Sequence, residues 1–104
     1  MSPNDLKHEL RKRLLEHFSP DHIFVFLFGS RADGSAKYNS DWDIGVMADG
    51  KIAGSTLERA RDSLDEIRTL QSFDLVDFAT VSEEFRKIAM RKLIPLIGSR
   101  SNEE

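Results

Sequence analysis

The sequence predicts a small α/β domain: a mixed central β-sheet of about three strands flanked by helices. Three observations carry this. Short runs dominated by apolar, aromatic and β-branched residues recur at "IFVFLF" (23–28), "DWDIGVMA" (41–48) and "FDLVDFAT" (73–80). Around them, apolar residues fall at helical spacing rather than in alternation. A chain of 104 residues, 39% hydrophobic and 32% charged, supports one core and not two. One domain over 1–98 is expected, with 99–104, "SRSNEE" at its end, as a flexible tail.

Leu6, Leu10, Leu14 and Phe18 recur at helical spacing, and Ser2-Pro3-Asn4-Asp5 supplies a cap followed by proline, so a helix is expected over 3–17. Ser19-Pro20-Asp21 breaks it. The run 23–28 is apolar at every position and ends at Gly29, the pattern of a strand buried on both faces. "SRADGSAKYNS" (30–40) is polar and rich in small residues, a loop or one or two helical turns, and leads into the second strand, which Asp49-Gly50 ends. Ser55 and Glu58 have the spacing of a capping box, and Leu57, Ala60, Leu64 and Ile67 form the stripe of a helix reaching about Leu70. After the third strand, Thr80 and Glu83 suggest another box. A last stripe of Phe85, Ile88, Ala89, Leu93 and Leu96 reads as a helix that Pro95 ends near Ile94.

Composition narrows the function. A net charge of −3 and a pI near 5.6 give no clustered basic surface for gripping a long nucleic acid. With no cysteine, disulfides, thiolate catalysis and cysteine-ligated zinc are excluded, and a reducing cytoplasm suits the chain. The opening "MSPNDLKHEL" lacks the apolar core of a signal peptide, and no apolar run approaches the length of a membrane span.

The informative residues are the acids. In an extended chain Asp41 and Asp43 point to the same side with Trp42 opposite, which sets two carboxylates about 6 to 7 Å apart. Like charges held that close raise each other's pKa unless a cation lies between them, and oxygen ligands suit magnesium or manganese. Solvated turn carboxylates are the bland alternative. In the third strand both Asp74 and Asp77 interrupt apolar faces, on opposite sides, and the pattern alone does not choose between them. Gly29-Ser30 closes the first strand in a turn able to offer backbone N–H groups and a hydroxyl to phosphate oxygens, without the Gly-Lys-Ser/Thr ending of a P-loop. Trp42 is read as core. His8, His17 and His22 show no ligand spacing and read as surface residues.

Taken together, Gly29-Ser30, ten intervening residues, Asp41-x-Asp43 and a later acid in an apolar strand resemble the motif set of the DNA polymerase β nucleotidyltransferase superfamily, and specifically its stand-alone minimal nucleotidyltransferases. "GSRA" is also typical of that small subgroup. The resemblance covers nearly the whole chain and implies the palm-like nucleotidyltransferase fold. It implies that Asp41, Asp43 and Asp74 are the catalytic, metal-binding acids, Asp74 because it precedes the Leu-Val pair, with Asp77 second. Two magnesium ions, or manganese, and ATP as substrate are implied, with Gly29, Ser30 and Arg31 as nucleotide-binding candidates. Arg31 could equally bridge to a strand carboxylate.

So short a chain leaves no residues for an acceptor-binding domain, so the acceptor hydroxyl is expected on a partner. The resemblance implies a helical HEPN partner, AMP transfer to it, and an antitoxin role in a toxin–antitoxin pair. Two alternatives belong beside this: a binding module that neutralises its partner by contact alone, and a small-molecule transferase resembling aminoglycoside nucleotidyltransferases.

Overall fold

Ser2 caps the first helix as its sequence requires. Its Oγ accepts the Asp5 N–H at 3.1 Å, the Asp5 carboxylate accepts the Ser2 N–H at 3.2 Å, and Pro3 takes the first helical position. This helix, α1, runs Pro3–Leu15, two residues shorter than expected. The computed structural model describes residues 1–99. The expected tail at 99–104 therefore lies, beyond Ser99, outside the described residues.

The remaining elements are β1 (Ile23–Phe28), α2 (Ser30–Asp33), β2 (Trp42–Ala48), α3 (Gly54–Asp65), β3 (Phe73–Asp77), α4 (Glu83–Ala89) and β4 (Ile94–Ile97). The sheet order is β3-β2-β1-β4; β1 is antiparallel to both of its neighbours, and β2 and β3 are parallel.

β4 corrects the expected three strands to four. The last helix does not continue toward Ile94: it ends at Ala89, and Ile94-Pro95-Leu96-Ile97 pairs with β1 at a sheet edge, where a proline without an N–H is tolerated. Of the stripe read onto that helix only Ala89 is buried within α4, whereas Leu96 and Ile97 are buried as strand residues. Two capping boxes also fail. α3 starts at Gly54 with no side-chain cap, and α4 is capped by Ser82, whose Oγ accepts the Phe85 N–H at 3.1 Å, while Thr80 instead donates its hydroxyl to the Asp77 carbonyl at 2.8 Å.

Alternation along "IFVFLF" divides the core. Val25 and Leu27 face α1 and α3, joining Leu10, Leu14, Ile44, Val46, Ala60, Leu64 and Leu75. Phe24, Phe26 and Phe28 face the other way, with Phe78 and Ala89. There Phe26 and Phe28 meet Phe78 edge-on, with ring centroids 5.0 and 5.2 Å apart. Gly45 leaves room for those rings, since a Cβ on it would lie 2.5 Å from Phe26 Cζ. Both sheet edges are covered by guanidinium groups: Arg11 donates to the Leu96 carbonyl at 3.0 Å and Arg61 to the Leu75 carbonyl at 2.9 Å. Among the described residues no helix is long and apolar enough to cross a membrane.

Candidate functional site

Register decides which side chains meet. Phe28 on β1 pairs with Asp43 on β2, and Asp43 pairs with Asp74 on β3, so the three form one row across the sheet. Directly paired residues of neighbouring strands point to the same face, with strands about 4.8 Å apart. The face is that of Phe24, Phe26 and Phe78; Asp41 lies just ahead of β2, and its charge reaches Asp43.

The carboxylates feel one another. Asp43 is half-buried and its carboxyl is pushed above the ordinary aspartate value, first by burial and then by the charges of Asp74 and Asp41. Asp41 and Asp74 are exposed. Among the described residues no three such side chains are gathered tightly enough to enclose an ion as they stand, so the final reach depends on the side-chain torsions of these two exposed acids.

Asp77, the rival for the third position, pairs with Val46 and thus belongs to the opposite face. Its Oδ1 accepts the Ala79 N–H at 3.0 Å, an aspartate turn that stops the strand. The structure therefore brings Asp74, and not Asp77, beside the Asp41–Asp43 pair.

Gly29 is the second component. Its φ of 72° and ψ of −151° lie in a region open essentially to glycine alone. A Cβ there would stand 2.5 Å from Asp43 Oδ2, so the missing side chain is what lets the strand-ending turn approach the carboxylate. The Gly29 carbonyl accepts the N–H groups of Ala32 and Asp33, both at 3.0 Å, which starts α2 and holds Ser30 at its first position.

Arg31 lies elsewhere. Its Nη2 donates to the Ser40 carbonyl at 2.8 Å, the Gln71 Oε1 at 2.9 Å and the Tyr38 carbonyl at 3.2 Å, and its guanidinium stands 4.7 Å from the Trp42 ring centroid. Trp42 is buried in the α1/α3 core, the face opposite the acids, and Arg31 with Ser30 lines a cavity on that side, which does not include Asp43. It bridges to no strand carboxylate; its partners are carbonyl oxygens and a stacked ring.

Beside Asp43, though not lined by Asp41 or Asp74, opens a cavity of about 620 Å³, walled by Phe28, Gly29 and Asp43 and by Phe85, Ile88, Arg91 and Lys92. That volume suits a nucleotide-sized ligand. The α4 contribution was missed because Phe85 and Ile88 read as core; they are 43% and 63% exposed. A signal was present: "EEFRKIAMRK" is too heavily charged for a helix buried along a full stripe.

The family model "Polymerase beta, Nucleotidyltransferase" matches residues 9–102. The chain belongs to the polymerase beta nucleotidyltransferase family. Within that family it is 34% identical over 99 residues to the Haemophilus influenzae protein named "Probable protein adenylyltransferase MntA", covering 92% of this chain and 85% of that one. The fold matches solved toxin–antitoxin structures as well. A mutant MntA–HpeT toxin–antitoxin complex superposes with a TM-score of 0.71 at 22% identity, over 90% of this chain and 74% of the other. A toxin–antitoxin structure with AMP-PNP gives 0.65 at 23%, again over 90% and 74%. A Shewanella oneidensis complex of a tri-AMPylated HEPN toxin with its MNT antitoxin gives 0.60 at 21%, over 89% and 73%. The fourth strand is thus an addition to the expected palm-like sheet, not a departure from its class.

Proposed function

We propose that this nucleotidyltransferase moves AMP from ATP, with magnesium, onto a hydroxyl of a helical HEPN-type partner, and that it acts as the antitoxin of that pair in the cytoplasm. The observation that carries the reading is the row in which Asp43 and Asp74 stand side by side, with Asp41 close enough to perturb Asp43, next to a turn that only glycine permits. The names of the similar proteins, a probable protein adenylyltransferase, a toxin–antitoxin structure with AMP-PNP and a tri-AMPylated HEPN toxin with its MNT antitoxin, support the choice of nucleotide and acceptor.

The donor set fits a divalent metal. Three carboxylates supply oxygen ligands only, which favours magnesium, with manganese as the alternative; the Asp43 carboxyl, raised first by burial and then by the charges of Asp74 and Asp41, is one that such a cation would favour in its ionised form. Asp41 and Asp43 would hold two ions and Asp74 would complete the one nearest the attacking oxygen. Bound there, the metals would acidify the acceptor hydroxyl and offset charge on the departing pyrophosphate.

The chain's own residues do the rest. Ser30 and the amides of its turn hold phosphate oxygens, and the Gly29 turn fixes the Asp43 carboxylate in position. The acceptor oxygen forms a bond to the α-phosphorus. The bond from that phosphorus to the oxygen bridging to the β-phosphate breaks, its electron pair leaves with pyrophosphate, and the hydroxyl proton passes to solvent. The aromatic floor of Phe28 and Phe78 keeps water from beneath the acids, which strengthens every charge interaction above it.

Incubation with magnesium, α-phosphate-labelled ATP and a HEPN-type partner tests the proposal. The partner is expected to become labelled, and Asp43→Asn to abolish the label. Partner neutralisation that survives Asp41→Asn and Asp43→Asn together would overturn it in favour of masking by contact.

A further inference from the structure

A triphosphate brings about four negative charges, and its terminal phosphates extend beyond the acids that hold the metals. Sequence reasoning looked to Arg31 for a counter-charge, yet that guanidinium is engaged with Ser40, Gln71 and Tyr38 and stacked on Trp42, behind the sheet. The cations that line the cavity over Asp43 and Gly29 are Arg91 and Lys92, on the connection between α4 and β4. Both side chains are exposed, and among the described residues neither enters an ion pair. The same cavity is walled by Asp33 of α2, and the positive charge of Lys92 reaches that carboxylate, so the connection stands near the C-terminal end of α2. Phe28, Phe85 and Ile88 give the same cavity an apolar lining beside these cations.

We infer that Arg91 and Lys92 hold the β- and γ-phosphates of the bound nucleoside triphosphate and stay with the pyrophosphate as it leaves. This rests on the nucleotidyl-transfer reading. The arginine fork pairs two phosphate oxygens at once, and the lysine acts as a point charge beside it. When the bond from the α-phosphorus to its leaving oxygen breaks, the negative charge that collects on pyrophosphate lies within reach of both. The acids and the cations thus divide the substrate between them: the acids take the reacting phosphorus through metal, and the cations take the leaving group directly. The site consequently discriminates by phosphate number. Triphosphates gain from both cations, and a monophosphate gains from neither.

Calorimetric titration of the full chain in magnesium with ATP, ADP and AMP tests this. Arg91→Ala with Lys92→Ala is expected to raise the Kd for ATP by about tenfold to a hundredfold while changing that for AMP by less than about twofold. Arg91→Lys with Lys92→Arg, which keeps both charges, should recover most of the ATP affinity. The exposed pair Arg59→Ala with Arg68→Ala, outside the cavity, should leave all three ligands unchanged. The thermal midpoint of each variant establishes that it is folded. ATP affinity unaltered in the alanine pair, or an equal loss for ATP and AMP, would overturn the inference while leaving the transfer reading intact provided Asp43→Asn still abolishes labelling. A wild-type chain that neither binds ATP with magnesium nor labels its partner would overturn both.

Discussion

Replacing Gly29 by alanine separates the two tasks assigned to that residue. With φ at 72° and ψ at −151°, alanine there incurs about 1 to 3 kcal/mol of backbone strain, offset by about 0.4 to 1 kcal/mol from its stiffer unfolded chain. A net loss of about 1 to 2 kcal/mol lowers the melting temperature of a domain this size by roughly 5 to 15 °C. The second effect is local. The added methyl would stand 2.5 Å from Asp43 Oδ2, so the carboxylate must withdraw by roughly 1 Å to restore an ordinary contact. Misplacement on that scale costs about a hundredfold in transfer. Gly34→Ala is the control, because Gly34 also has positive φ, 86°, but a Cβ on it meets nothing within 4 Å. Both variants are expected to melt early, and only Gly29→Ala to lose transfer per folded molecule, assayed well below its own midpoint. Wild-type transfer by folded Gly29→Ala, or equal loss in both variants, would refute the idea that this glycine seats the carboxylate.

Asp74→Asn is expected to lower label transfer by about a hundredfold or more, whereas Asp77→Ala, on the opposite face, should transfer within a fewfold of wild type and lose about 0.5 to 1 kcal/mol of stability with its turn hydrogen bond. Asp43 is raised by burial and by Asp74 and Asp41, so its native pKa exceeds its unfolded one. Its contribution is then most favourable below the unfolded value and is lost as pH rises through the native value. Asp43→Asn should therefore melt above wild type at neutral pH without metal, with the gap closing as pH falls below about 4 and as magnesium is added to wild type. Arg31→Lys keeps the charge but not the planar fork, and is expected to cost about 2 kcal/mol in denaturant titration while changing ATP affinity by less than about twofold. A large loss of ATP affinity at unchanged stability would return Arg31 to the triphosphate.

How much of this was legible depended on the range of the signal. Strand alternation is local, so the opposed faces of Asp74 and Asp77 and the double-sided burial of "IFVFLF" were readable. Choosing between Asp74 and Asp77 needed the pairing of β3 with β2, a contact between distant segments that alternation within β3 does not specify. β4 was misread because Leu93 and Leu96 happen to continue a helical spacing, while the burial of Leu96 and Ile97 comes from β1 and α1 beside them. Phe85 and Ile88 have the composition of core residues and the position of a cavity wall.

The same contrast explains the brace behind the site. The register that puts Asp74 beside Asp43 is held at both ends of the β2–β3 ladder, by the Trp42 N–H on the Ser72 carbonyl and the Phe78 N–H on the Val46 carbonyl, both at 2.9 Å. A slip of one residue would move Asp74 to the α1/α3 face and dismantle the row. Arg31 acts on the same ladder from one side. It starts two residues after Gly29, reaches the carbonyls just ahead of Asp41 and ends on Gln71, just ahead of β3. All three chain segments that supply the site are therefore tied to one guanidinium on the side away from the acids. The hydrogen bonds of Arg31 thus join the segments that carry Gly29, Asp41 and Asp74, a positioning task that its loss would expose as lowered stability before any change at the acids.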